Sequence, residues 1–228
     1  MHGQYDRVIA PRLFVTLVHL AAVSVVAWLL LGGGLQAVAA WCGSAWPLAS
    51  SARRWLLLAC GLVYFMRVSI TIFYLMQRKM GWGEAAIIGG WVAFIHILFA
   101  YFGGTNPTIL RPAVATLALI LYVSGSMLNT GSELQRKWWK GHLENKGRLY
   151  TQGLFRYAMH INYFGDELLF TGYALLTGVA WALTVPTVML AGFVLFNIPE
   201  LDRHLRKHYG DDFEDYSRRT KKFVPFVY

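Results

Sequence analysis

Charge is scarce in this chain. Asp, Glu, Lys and Arg make up 14% of its 228 residues, where a soluble globular domain carries about a quarter, so an ordinary water-soluble fold is disfavoured. Cysteine is scarcer still. Cys42 and Cys60 are the only two, too few for a disulfide scaffold or a four-thiolate metal site. The loud nucleotide and nucleophile motifs are missing as well. There is no Walker loop, Rossmann glycine fingerprint, CxxC or GxSxG, so a nucleotide cofactor would have to bind by a non-Rossmann route. No period of 20–50 residues repeats, which removes solenoids and arrays. His204 and His208 have the spacing of metal ligands on a helix, but no second His cluster joins them. A zinc or di-iron site is therefore not expected.

What is abundant is apolar and aromatic surface: 56% of residues are hydrophobic, with nine Trp and twelve Tyr, a composition suited to a lipid–water boundary. A membrane span needs roughly 20 mostly apolar residues. Leu13–Leu31, Trp55–Met76, Ala85–Phe102 and Ala113–Leu128 are four such runs. A polar stretch, Thr130–His160, follows. The apolar run Leu168–Ile198, extended to Ile161 and Leu201, gives room for two more helices turning near Thr184–Pro186. The expected fold class is all-α: a polytopic membrane bundle of about six transmembrane helices with cytoplasmic N- and C-termini. It forms one integral membrane domain over residues 1–228. Four spans fill 1–128; a cofactor-binding loop, a final helical hairpin and a cytoplasmic tail fill 129–228.

The formal net charge is +9, which invites a nucleic-acid reading. The distribution of that charge points elsewhere. With six spans, seventeen Lys and Arg fall in inside segments, beginning with Arg7 and Arg12, and three (Arg53, Arg54 and Arg111) fall outside. That asymmetry follows the positive-inside rule, and anionic lipid at the inner surface accounts for the rest. No nucleic acid and no obligate protein partner are expected; membrane lipid and a lipophilic small molecule are. Ala37-Val38-Ala39 resembles a signal-peptide cleavage site behind a basic start, but the first apolar run is long for a signal, and the charge pattern works with the span retained. Gly32-Gly33-Gly34 should stop that first helix.

Ionisable groups within or beside spans are costly and are usually functional or paired. Tyr64 and Arg67 lie three apart on the second span and share a helix face. Either Arg67 is a structural partner for a helix end or carboxylate, or the two form a polar wall of a substrate cavity, with the Tyr hydroxyl donating to a carbonyl. Asn129 and Glu133 stand four apart at the end of the fourth span, and Asn162 and Asp166 repeat that Asn-x-x-x-acid spacing at the start of the fifth. One such pair is commonly an interfacial cap. Two, joined by the most polar loop in the chain, suggest a facing pocket. That loop holds Lys146 and Arg148, whose side chains suit a phosphate-bearing ligand. His19, Glu84 and Glu167 carry no assignment, and His96, His142 and His160 are scattered.

The run Gly153-Leu154-Phe155-Arg156-Tyr157-Ala158-Met159-His160-Ile161-Asn162-Tyr163-Phe164-Gly165-Asp166 resembles the C-terminal signature of the steroid 5α-reductases and of their bacterial DUF1295 relatives. The likeness continues through Gly172-Tyr173-Ala174-Leu175 to Tyr216 and the closing Phe223-Val224-Pro225-Phe226, and covers residues 121–228. Upstream it is local: Tyr64-Phe65-Met66-Arg67 looks like the family's Tyr-Phe-His-Arg stretch. The chain departs from the pattern in having Asp166 for a Glu, and in lacking an acid on Leu13–Leu31 to partner the Tyr. A wider likeness reaches the isoprenylcysteine carboxyl methyltransferases. Here, however, the core Met159-His160-Ile161-Asn162-Tyr163-Phe164-Gly165 replaces both the Arg and the Pro of theirs.

The resemblance implies an NADPH-dependent membrane reductase that delivers a hydride to an activated C=C bond of a steroid-, sterol- or isoprenoid-like substrate. It implies Tyr64 and Arg67 as the catalytic pair. Asn129, Glu133, Asn162 and Asp166 would take polar parts of NADPH, Arg148 with Lys146 the phosphate, and Tyr209 with His204 would lie beside the cofactor, on the cytosolic side. The competing readings are an S-adenosylmethionine-dependent membrane methyltransferase and a non-catalytic lipid-binding or transport protein.

Overall fold

The computed structural model describes residues 9–228; Arg7, counted above with the inner charge, lies outside the described residues. The chain is all-helical, and an isolated parallel bridge between Ala158 and Lys221 is the only β-type pairing among the described residues. Among the described residues nine α-helices follow one another: α1 Ile9–Leu31, α2 Gly34–Trp41, α3 Ser51–Ile70, α4 Trp82–Gly104, α5 Pro112–Gly141, α6 Ile161–Thr177, α7 Thr184–Gly192, α8 Ile198–Tyr209 and α9 Asp211–Arg219. Five helical runs among the described residues are long and apolar enough to cross a membrane: Ile9–Leu31, Ser51–Leu75, Trp82–Gly104, Pro112–Gly141 and Ala180–Tyr209. The sixth, α6, has 17 residues, about 26 Å at 1.5 Å per residue, just short of the roughly 30 Å hydrocarbon layer.

The first helix ends where the three glycines stop it: Gly33 turns with φ +79°, a conformation that suits Gly at a helix terminus. Ala37–Ala39 then forms part of α2, with Ala39 buried. Two boundaries differ from the expected ones. The helix of the fourth span does not stop in the turn of Asn129 and Glu133; α5 continues through Gly141, because Leu134, Gln135, Arg136, Lys137 and Lys140 are all good helix formers. The final hairpin turns at Gly178 (φ +69°) and the 3-10 turn Ala180–Leu183 rather than at Thr184–Pro186. Pro186 sits in the first turn of α7, where its missing N–H leaves no hydrogen bond unmade.

The chain forms two compact units, Met1–Ala118 with Tyr173–Leu183, and Leu119–Gly172 with Thr184–Tyr228. In the first, α1, α3 and α4 pack together around Val26, Leu30, Leu57, Ile95 and Phe99, all fully buried. Arginine side chains close the helix ends. Arg54 donates to Leu30 O at the end of α1 (2.6 Å). The buried Arg53 donates to Asn106 O (2.8 Å) and Thr108 O (2.7 Å) past the end of α4. Arg12 donates to Met76 O (3.1 Å) and Arg78 O (2.8 Å) beyond α3. Each places a cation against carbonyls that a helix end or turn leaves unpaired.

In the second unit α5 and α6 meet almost backbone to backbone. A Cβ added at Gly125 would lie 2.5 Å from Leu169 N, and one at Gly165 would lie 2.5 Å from Asn129 N. Small residues permit that approach in apolar surroundings, where close packing and polar contacts hold helices together. The tail after α9 returns to the start of α6: Met159 N donates to Lys221 O (2.8 Å) and His160 N to Lys222 O (3.0 Å).

Candidate functional site

The close approach at Gly125 and Gly165 brings the two amide–acid pairs into register, and they engage crosswise. Asn129 Nδ2 on α5 donates to Asp166 Oδ2 (2.9 Å) and to Asn162 O (3.0 Å) on α6. Asn162 Nδ2 donates back to Glu133 Oε1 (3.0 Å). Each amide serves the acid of the opposite helix, which satisfies two carboxylates that would otherwise repel. Glu133 also pairs with Arg136 one turn on. Polar capacity remains around this lattice. Ser126 Oγ and Thr130 Oγ1 on α5, and Glu167 Oε2 on α6, are buried with no hydrogen-bond partner. Such orphaned groups are few in a folded protein, and they fit a polar ligand on this part of the second unit.

Lys140, near the end of α5, connects several sequence candidates. It donates to the Arg148 carbonyl and to Tyr209 Oη (3.0 Å) and lies over the Tyr209 ring. Tyr209 is thereby held beside the loop that carries Lys146 and Arg148, whose own side chains are exposed. Among the described residues no hydrogen bond joins the side chains of Lys146 or Arg148 to the four crossed residues. His204 points to the exposed face of α8 and stacks with His208, ring centroids 6.3 Å apart. Sequence reasoning missed Lys140 because the helix was expected to end before it.

His160 was also passed over. Its buried Nε2 meets Asp202 Oδ1 on α8 at 2.8 Å, and Lys222 Nζ reaches Asp202 Oδ2 at 3.2 Å. This ties the start of α6, α8 and the tail to one another two residues before Asn162. Tyr216 on α9 donates to Phe155 O (2.5 Å), and burial pushes its phenol up from the ordinary tyrosine value, so it stays a donor.

The other candidates belong to the first unit. Tyr64 and Arg67 are both buried on α3, with the guanidinium carbon 5.2 Å from the Tyr64 ring centre. Against Tyr64 lie two buried histidines that the sequence left unassigned, His19 on α1 (ring centroids 5.4 Å) and His96 on α4 (5.6 Å). Their Nε2 atoms are 3.3 Å apart. His96 Nδ1 lies 2.9 Å from Val92 O and its Nε2 3.5 Å from Gly61 O; a carbonyl only accepts, and the shorter contact assigns the proton of the Nδ1–H tautomer, which leaves Nε2 to accept. His19 then donates through Nε2, and its own Nδ1 is left a buried acceptor without a partner. Nothing in the sequence links residues 19 and 96 beyond their both being histidines inside apolar runs.

Taken together, the apolar helices and the buried polar clusters define a multi-pass helical membrane protein with its polar side chains joined between helices. Residues 87–220 match the family described as "Protein of unknown function (DUF1295)", and the chain belongs to that family. Among curated proteins it is similar to the Delta(14)-sterol reductase of Saccharomyces cerevisiae, 26% identical over 148 residues, covering 60% of this chain and 34% of that one. It is similar to the 3-oxo-5-alpha-steroid 4-dehydrogenase 2 of Homo sapiens, 29% identical over 113 residues, covering 50% and 42%. It is also similar to a probable O-methyltransferase of Ustilaginoidea virens, 30% identical over 101 residues, covering 44% and 35%. The chain spans between a third and about two fifths of the length of these relatives.

Proposed function

We propose that the protein is a membrane reductase that uses NADPH to reduce an activated C=C bond in a lipophilic substrate of sterol, steroid or isoprenoid type. The observation that supports this best is the crossed lattice of Asn129, Glu133, Asn162 and Asp166, with unpartnered hydroxyls on the same helix, in a chain similar to a Delta(14)-sterol reductase and to a 3-oxo-5-alpha-steroid 4-dehydrogenase. Ionised carboxylates only accept, so Glu133 and Asp166 suit ribose hydroxyls and the carboxamide N–H groups, while the Asn side chains both donate and accept. Arg148 with Lys146 takes the phosphates, and Tyr209, held by Lys140, lies beside the cofactor with His204. The positive-inside asymmetry supports a cytosolic side for this lattice and for both termini in this proposal.

Reduced nicotinamide supplies the hydride when bound. The chain's own task at the substrate is electrostatic. For an enone, negative charge grows on the carbonyl oxygen as the β-carbon is reduced, and a donor aimed at that oxygen stabilises the transition state more than the ground state. Tyr64 is that donor in this proposal, and Arg67 beside its ring strengthens it. The methyltransferase reading keeps one observation in its favour, the similarity to the probable O-methyltransferase.

Ligand identity separates the two. Purified protein warmed in detergent should melt at a higher temperature with NADPH, because a ligand that binds only the folded state stabilises it; a shift with S-adenosylmethionine alone would end the reductase proposal. Asn162→Ala removes the donor to the half-buried Glu133 and an amide that both donates and accepts in the proposed cofactor site, at a cost of about 1–3 kcal/mol. Its NADPH affinity should drop roughly 5- to 100-fold, measured by titration; affinity equal to wild type would take Asn162 out of the cofactor site.

A further inference from the structure

Outside the crossed lattice, the second unit holds a cavity of about 450 Å³, in the size range of small-ligand clefts. Its floor is apolar, from Met159 on the loop and the fully buried Phe213 of α9. Its walls are cationic. Arg206, Arg218, Arg219, Lys221 and Lys222 line it, with Asp202 the one acidic side chain. Asp202 is already engaged by His160 and Lys222. Arg206 is paired with Glu214 and Arg218 with Asp215. Arg219 and Lys221 are exposed and make no ion pair among the described residues. The backbone bonds from Met159 and His160 to Lys221 and Lys222 fix where the lysines stand.

The rim is of a different kind. Val227 and Tyr228 line the same cavity, and together with Phe226 they are 73%, 52% and 78% exposed. A cationic pocket beside bare apolar and aromatic side chains matches the boundary between phospholipid headgroups and acyl chains. Its position agrees: Asp202 and Arg206 lie on the last turns of the long apolar run Ala180–Tyr209, where a span meets water.

We propose that this pocket binds the phosphate of an anionic phospholipid, with Arg219 and Lys221 on the phosphate and the Phe226–Tyr228 rim against the acyl chains. The proposal goes beyond the reductase reading and does not depend on it; it needs only that Ala180–Tyr209 lies in a membrane. The shared chemistry is a phosphate anion, so a dinucleotide phosphate is the alternative source. The test uses the full chain in detergent, with retained lipid read by native mass spectrometry for dioleoyl phosphatidylglycerol against dioleoyl phosphatidylcholine. Wild type should retain phosphatidylglycerol preferentially. Arg219→Gln/Lys221→Gln should lose about 10- to 30-fold of that affinity, at roughly a three- to fivefold step per basic group at a membrane surface, with phosphatidylcholine unaffected. Both side chains are exposed, and Lys221→Gln alone gives the same reading in smaller measure should the double variant not fold.

Equal retention of the two lipids, or full retention by the variants, would overturn the proposal. Displacement of phosphatidylglycerol by NADP+ but not by inorganic phosphate would reassign the pocket to the dinucleotide and overturn it too. Displacement by inorganic phosphate alone would reduce it to a simple anion site and overturn it likewise. An NADPH-induced melting shift that survives in the variants keeps the reductase proposal separate from this one.

Discussion

Gly165→Ala should lower the melting temperature of the purified protein by about 4–8 °C, a net loss of about 2 kcal/mol. In an exposed helix the same change gains up to about 1 kcal/mol, since Ala is the better helix former. Here the new Cβ would stand 2.5 Å from Asn129 N, and a backbone nitrogen cannot swing away as a side-chain tip can. α5 and α6 must separate, and Asn129 loses its reach to Asn162 O and Asp166. NADPH affinity should fall with stability. Gly90→Ala is the control: no atom lies within 4 Å of its added Cβ, so its melting temperature should hold or rise slightly. Gly165→Ala melting as wild type would mean that the two helices do not meet backbone to backbone.

The second large effect is on chemistry. Tyr64→Phe removes one oxygen and leaves the ring that packs on His19, His96 and Arg67, so the fold should survive. Losing a donor aimed at a developing oxyanion costs about 10²–10³ in turnover. NADPH affinity should be nearly unchanged, because in this proposal the lost hydroxyl acts on the substrate carbonyl and not on the dinucleotide. Steady-state turnover of an enone substrate, beside an NADPH titration, reads both. An unaltered rate would remove Tyr64 from the mechanism, and a parallel loss of NADPH affinity would make its role structural.

Much of the fold was legible because membrane helices declare themselves by length and apolarity. α1, α3, α4 and the body of α5 lie where the apolar runs put them, and Gly33 ends α1 as expected. The last turns of α5 escaped because hydropathy sees where a span ends, not where a helix does; beyond it α5 is carried by good helix formers and by the contacts of Asn129, Glu133 and Lys140. Pro186 misplaced the hairpin turn because a proline breaks a helix interior but is welcome in a first turn.

The site was half legible for the same reason. A spacing of four places an Asn and an acid on one face, and doing so twice marks two faces. It does not say that each amide would serve the other helix's acid, nor that Gly125 and Gly165 set the separation. The pairs His19–His96 and His160–Asp202 are 77 and 42 residues apart. Only the packing of whole helices joins them, and no local pattern announces it.

The crossed amides also act as a ratchet pawl. Sliding α6 by one residue along α5, about 1.5 Å, would pull Asn129 and Asn162 off their partners together and drive Gly165 away from its notch. This pair of helices is therefore locked in step, unable to shear. Flexing within the second unit is thereby left to its other parts, the polar loop 142–160 and the segments from Thr184 onward, with α5 and α6 serving as the unmoving anvil.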